Sequence, residues 1–280
     1  LFRPRLPDDI PEYDDVQKVL REGIVNPLRT NFYVRADKVL RLRTFLDKLS
    51  SVKGLMSEEK DPEEFLNSLL QQTLRAEPFI KLSSGQECYH YQLFMEKEEH
   101  IVLPTTQQLL GLSFLQSDVK LAKVPSCLIL QMPRFGKEFK MYSRIVPSLE
   151  LDITDIMQNG PRECTICGLL ATHECKDCYK HFGDSLDKIA FCENCLKKSH
   201  SHVKRCKHAP RPLTVDPDYL GYREAQFAGG AEDVAIPREM LELFAVICIQ
   251  TSHYVAFVKC GEGLEAPWVF FDSMADRMGM

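Results

Sequence analysis

No stretch of the sequence approaches the roughly 18 consecutive apolar residues of a bilayer-spanning helix. The longest runs, Cys127 to Leu130 and Leu243 to Ile249, have the length of strands, so an integral membrane protein is not expected. Internal repeats and low-complexity tracts are also missing, which excludes solenoids and repeat arrays. Excess positive charge is absent too. With 35 Lys+Arg against 40 Asp+Glu the net charge is -5 and the pI near 6.0, the opposite of a nucleic-acid-binding surface. Leu1 to Pro11 lacks the apolar core and cleavage site of a secretory signal, and a chain opening on Leu rather than Met reads as a piece of a longer protein.

What remains is a globular composition, 44% apolar and 27% charged over 280 residues, enough for one large domain or two ordinary ones and incompatible with general disorder. The one excess is cysteine. Eleven thiols without a secretory signal point to a reducing, intracellular and cytoplasmic setting, where thiols act as metal ligands, nucleophiles or small buried groups.

Their distribution is uneven. Seven of the eleven cysteines and five of the eight histidines fall between Gly160 and Pro212. That stretch holds ten basic and six acidic residues, while the rest of the chain holds 25 and 34, so a mildly basic module interrupts an acidic body. We expect three regions: 1–159, the module 160–212, and 213–280.

The N-terminal part, to about Lys81, reads as helical. Val39, Leu42, Leu46 and Leu49 recur at helical spacing within Arg35 to Ser51. A second helix starts where Asp61 can cap, Pro62 suits the first position and Glu64 can complete a capping box, with Phe65, Leu66, Leu69, Leu70 and Leu74 as its buried stripe. From Cys88 onward strands are expected at Cys88 to Met95, Ser126 to Met132, Leu243 to Gln250, Tyr254 to Lys259 and Trp268 to Phe271, with a short helix from Thr105 to Phe114. Gly221 to Pro237 lacks periodicity and reads as a surface loop. Helices first and strands later suggest an α+β fold with a mostly antiparallel sheet.

Within the module, the pairs Cys164/Cys167, Cys175/Cys178 and Cys192/Cys195 are followed by His200 and His208. Eight such ligands suit two tetrahedral zinc ions, because a two-residue spacer lets both thiolates of a pair bend toward one centre. A segment this short with few large apolar side chains also needs metal to fold. By analogy with small cross-braced modules, Cys164, Cys167, Cys192 and Cys195 would hold one ion, and Cys175, Cys178, His200 and His208 the other. His202 could replace His200, and Cys206 could replace His208. Four protein ligands close each site, so a structural role is expected; His173 and His181 read as exposed loop residues.

At the C-terminal end, Leu243 to Gln250 is apolar on both faces and reads as a central strand. If His253 to Lys259 and Ala266 to Asp272 pair antiparallel with Lys259 facing Ala266, His253 faces Asp272. An imidazole oriented by a carboxylate is the general-base half of a nucleophilic triad. A His near an Asp is otherwise more often a plain surface hydrogen bond.

Three segments resemble the boxes of the ubiquitin-specific cysteine proteases: Glu59-Lys-Asp-Pro-Glu-Glu-Phe-Leu66, Pro125-Ser-Cys-Leu-Ile-Leu-Gln-Met-Pro-Arg-Phe135, and Leu243 to Asp272 with its His box and W-x-F-x-D-like end. The resemblance implies a papain-like hand with helical thumb, antiparallel β palm and shortened fingers, carrying an inserted two-zinc, B-box-like module. It makes His253 the general base and Asp272 its orienting acid, with Ser252 and Ser273 departing from the commonest neighbours. It also implies that Asp61 and Glu64 meet the arginines of the ubiquitin tail, that ubiquitin and polyubiquitin are the partners, and that linear and non-degradative lysine-linked chains are preferred. The family's nucleophilic Cys box has no counterpart here, so the nucleophile is expected upstream of Leu1 and these residues are expected to be inactive alone. Cys127 and Cys248 read as core residues on apolar strands; Cys88 and Cys260 sit at strand ends. The competing readings are a non-catalytic ubiquitin-binding or scaffold protein and, less favoured by the ligand order, a RING-type ligase.

Overall fold

The computed structural model describes residues 12–58, 60–135, 139–179, 185–231, 234–250 and 253–272; Glu59, His181, Ser252 and Ser273 therefore lie outside the described residues. The chain forms two compact units, one of residues 1–79 with 87–89 and one of 80–86 with 90–280. Among the described residues no helix is long and apolar enough to cross a membrane.

The first unit is helical. α1 (Tyr13–Lys18) runs through a π-helical stretch, Val19–Val25, into α2 (Asn26–Asn31); α3 (Ala36–Leu49) follows, and α4 (Pro62–Leu66) continues into a second π-helical stretch, Asn67–Thr73. Val16, Leu20, Leu42, Leu46, Leu55, Leu69, Leu70 and Leu74 form one buried cluster, with Phe65, Leu66 and Leu49 packed against it. Val39, expected in the stripe of α3, is 41% exposed; the buried face is narrower and centred on Leu42 and Leu46. Asp61 caps α4 by accepting from the Glu63 N–H at 3.0 Å, while the Glu64 carboxylate lies 3.8 Å from the Lys60 ammonium.

The second unit begins around α5 (Thr106–Ser117), whose capping box pairs Thr105 with Gln108 and whose Leu109, Leu110, Leu112 and Phe114 are buried. Buried Ser113 donates to the Phe94 carbonyl and accepts from the Phe94 N–H, fastening the preceding segment to the helix. The expected strands at Cys88 to Met95 and Ser126 to Met132 shrink to β1 (Tyr91–Gln92) and β2 (Leu130–Gln131), and these pair parallel. Instead of one large antiparallel sheet the unit contains several small ones. β3 (Glu150–Asp152) pairs antiparallel with β7 (Met240–Glu242). β4 (His173–Glu174) lies between β5 (Ala190–Phe191) and β6 (Arg211–Pro212).

Two expectations are corrected. Gly221 to Pro237 is not wholly a loop, because α7 (Pro217–Ala228) occupies its first half, capped by Asp216, whose carboxylate accepts from the Asp218 N–H at 2.9 Å. α7 buries none of its residues, so no apolar stripe marks it; the Asp-Pro start and Gly229 stop are its only signals. Nor is Leu243 to Gln250 a central strand. In the sheet of β8 (Ala245–Gln250), β9 (His253–Lys259) and β10 (Trp268–Asp272), β9 is the middle strand and β8 lies at an edge.

A buried ionic knot joins the cysteine-rich segment to the rest of its unit. Arg162, only 2% exposed, reaches Asp155 at 2.6 Å and Glu174 at 2.8 Å and donates to the Leu186 carbonyl. Lys120 lies 3.7 Å from Glu174 and donates to the Asp155 carbonyl at 2.8 Å. Burial, reinforced by the Arg162 charge, pushes the Lys120 ammonium down to about 8. The folded protein thus releases this proton before the unfolded chain does, and between the folded value and the ordinary lysine value near 10.4 the unfolded state binds more protons. Stability attributable to Lys120 should therefore rise with pH across that window. Denaturant midpoints measured from pH 8 to 10 should rise more steeply for the wild type than for Lys120→Met; equal slopes would contradict this account.

Candidate active site and metal centres

β9 and β10 place the histidine and the acid. Their ladder pairs Lys259 with Trp268 and Val255 with Asp272, two residues away from the expected register. The intervening turn is correspondingly longer and closes with the Cys260 N–H donating to the Pro267 carbonyl at 2.8 Å, while Gly261 and Gly263 hold positive φ angles of 129° and 84°. A shift by an even number leaves every side chain on its original face. His253 and Asp272 thus become diagonal neighbours instead of directly opposed ones, a separation long side chains still bridge. Nε2 of His253 lies 3.5 Å from Oδ1 of Asp272, with the two side chains 36% and 28% exposed. That distance is loose for a hydrogen bond, as acid-base pairs often are before a substrate or reacting partner is in place. The second ring nitrogen is left for a proton donor.

The remaining thiols outside the module divide differently from expectation. Cys127 is half-buried, and Cys248, expected in the core, is exposed on the edge strand β8. Burial pushes the thiols of Cys88 and Cys127 up, the wrong direction for a nucleophile.

The eight module ligands gather into two groups, Cys164, Cys167, Cys192 and Cys195, and Cys175, Cys178, His200 and His208, each with its ligand atoms within 4.8 Å of one another. A tetrahedron of zinc–sulfur bonds about 2.3 Å long has edges of about 3.8 Å. Observed edges include Cys167 Sγ to Cys192 Sγ at 3.7 Å, Cys178 Sγ to His200 Nε2 at 3.4 Å, Cys178 Sγ to His208 Nδ1 at 3.3 Å and Cys175 Sγ to His208 Nδ1 at 3.7 Å. These donor sets fit a metal of zinc's size and preference for sulfur and nitrogen. Local backbone geometry prepares them. In the first pair Cys164 bonds Leu169 and Gly168 through its N–H and C=O, and Gly168 takes a φ of 75°; His200 Nδ1 contacts the Leu196 carbonyl at 3.1 Å, fixing the tautomer that leaves Nε2 free to ligate. His202 accepts from the Lys204 N–H, and exposed Cys206 contacts the Val203 carbonyl, so neither alternative ligand joins a group. His173 lies on β4.

Electrostatics point the same way. Burial, then the neighbouring Cys175 thiol, pushes Cys178 up to about 12, and burial with the crowding of Cys192 and Cys167 does the same at Cys195. At Cys164 burial also raises the value, but the backbone N–H groups of Cys192 and Cys167 outweigh it and bring the thiol to about 7. A bound cation would stabilise all of these thiolates together.

Against known sequences, the ubiquitin carboxyl-terminal hydrolase family profile matches residues 15–275. The chain belongs to the ubiquitin carboxyl-terminal hydrolase family. Among individual proteins it is 49% identical to "Ubiquitin carboxyl-terminal hydrolase CYLD" of Homo sapiens, Bos taurus and Mus musculus, over its whole length and 29% of theirs. The chain thus spans less than a third of the curated relatives it matches.

Sequence reasoning missed the ionic knot. Its members, Lys120, Asp155, Arg162 and Glu174, are distributed along the chain with no motif linking them, and only the burial of Arg162 exposes the arrangement. The two ligand groups predict two metal ions per chain by elemental analysis; Cys192→Ser and Cys178→Ser should each remove about one, and a single ion in the wild type would overturn the grouping.

Proposed function

We propose that the protein containing these residues is a deubiquitinase, hydrolysing the peptide or isopeptide bond that follows the ubiquitin C-terminal glycine. The observation that carries this reading is the approach of His253 to Asp272 on one face of the terminal sheet, in a chain of the ubiquitin carboxyl-terminal hydrolase family. His253 is the general base and Asp272 the acid that orients it. The nucleophilic thiol comes from a segment outside residues 1–280. His253 takes the thiol proton, the thiolate attacks the carbonyl carbon, and the imidazolium returns that proton to the leaving amine as the tetrahedral adduct collapses. Water, activated by the same imidazole, then cleaves the thioester.

Asp61 and Glu64 are proposed to receive the arginines of the ubiquitin tail. Asp61 is exposed at the start of α4, and Glu64 is exposed beside Lys60; exposed carboxylates are suited to charge-assisted pairing with guanidinium groups. The two ligand groups are proposed to hold structural zinc in a B-box-like module, 160–212, set between the regions 1–159 and 213–280. Zinc there would supply folding free energy and no reacting water, since each group already offers four protein ligands. A preference for linear and non-degradative lysine-linked chains and a cytoplasmic location complete the reading, supported by the kinship with the CYLD relatives and by reduced-thiol usage.

In the full-length protein, His253→Ala should lower ubiquitin-chain cleavage by about 10²- to 10⁴-fold with melting temperature and metal content unchanged. Asp272→Ala should lower kcat more than it weakens ubiquitin binding. Undiminished cleavage by the His253 variant would remove it from the role of base, whereas absence of cleavage by the wild type would favour a non-catalytic scaffold.

A further inference from the structure

Glu64 already has a cation beside it. The Lys60 ammonium lies 3.8 Å from Glu64 Oε1 and 3.0 Å from Glu58 Oε2. The Lys60 side chain is 16% exposed, against 45% for Glu64 and 65% for Glu58, so most of its stem lies against the protein. Glu58 is itself held in place. Its N–H donates to the Gly54 carbonyl at 2.8 Å, and Arg43 donates to the Glu58 carbonyl at 3.0 Å and to the Leu55 carbonyl. Gly54, at a φ of 78°, lets the Glu58 carboxylate fold over it, where a side chain would collide. Glu58 thus anchors Lys60 from one side. On the other side Glu64 stands too far for a hydrogen bond, so its oxygens stay open to a forked guanidinium while remaining in the field of the ammonium.

We propose that Lys60 sets the strength of ubiquitin-tail recognition: it is a fixed counter-charge that keeps Glu64 from holding the tail arginines tightly. The inference rests on the reading of Glu64 as a tail-binding residue. An arginine seated on Glu64 stands a few ångströms from the Lys60 ammonium, and the two cations repel. Two unit charges about 4 Å apart at a hydrated surface change an equilibrium by about fivefold at most, and exposed pairs often by less. Lys60 cannot swing away to relieve this, because Glu58 holds its ammonium and Arg43 and Gly54 hold Glu58. The consequence falls on turnover. Cleavage leaves the same arginines on the ubiquitin that departs, so a site that bound them more tightly would hold substrate and product alike and gain nothing in the chemical step.

In the full-length protein, Lys60→Met should lower KM for ubiquitin chains and Kd for free ubiquitin by about two- to fivefold, with kcat no higher than in the wild type. Lys60→Gln should do the same, so the result does not hinge on how Met packs, and Lys60→Arg, which keeps the charge, should not tighten binding. The gain should shrink at about 1 M salt, where charges are screened within about 3 Å. It should also vanish for ubiquitin shortened to end before its tail arginines, and when Glu64→Gln is already present. Glu64→Gln alone should weaken binding of intact ubiquitin. If it does so while both neutral Lys60 variants bind as the wild type does, the proposal is overturned and the tail reading stands. Weaker binding by the neutral Lys60 variants would make Lys60 a support for Glu64 and overturn the proposal as well. Unchanged binding by Glu64→Gln would instead remove the tail reading, and the proposal with it.

Discussion

The meeting of His253 and Asp272 depends on the ladder between β9 and β10, and specifically on its parity. Side chains on paired strands share a face only when the register changes by an even number of residues. The observed register, Val255 with Asp272, satisfies this. A hairpin one residue shorter or longer on one strand would send the carboxylate through the sheet, and no side-chain rotation could restore the pair. The glycines of the turn bear on this pairing for the same reason, since Gly261 and Gly263 occupy positive φ values that let this particular loop length close.

The cysteine-rich segment obeys a different constraint. Its thiols are too close together to ionise comfortably, as the upward push on Cys178 and Cys195 shows, and its apolar contribution is modest. Charge crowding and shortage of core have a common remedy in a divalent ion. The histidines complete one group because α6 (Glu193–His200) directs His200 inward and holds its second nitrogen on the Leu196 carbonyl.

Much of this was legible in the sequence, for identifiable reasons. The ligand groups could be read because a Cys-x-x-Cys pair is a local chelate whose geometry hardly depends on the rest of the fold. The helices around Leu42, Leu46 and Leu69 to Leu74 could be read because each buries a periodic stripe. The sharing of a face by His253 and Asp272 survived a wrong register because the error was even. Where a signal was not local, reading failed. α7 buries nothing and so shows no period; β8 is apolar on both faces yet lies at an edge, since composition reports what a strand prefers to contact and not which neighbours the chain supplies; and the partners of Arg162 are brought together only by tertiary packing.

That arginine has a consequence for anyone wishing to transplant the metal-bearing insertion as a cassette. Arg162 and Glu174 lie within it, Asp155 and Lys120 outside it. Excision would leave Arg162 and Glu174 paired with each other but would break the contacts of Arg162 with Asp155 and of Lys120 with Glu174. A recipient scaffold would have to offer matching charges at the junction, so the insertion and its host are bound to vary together.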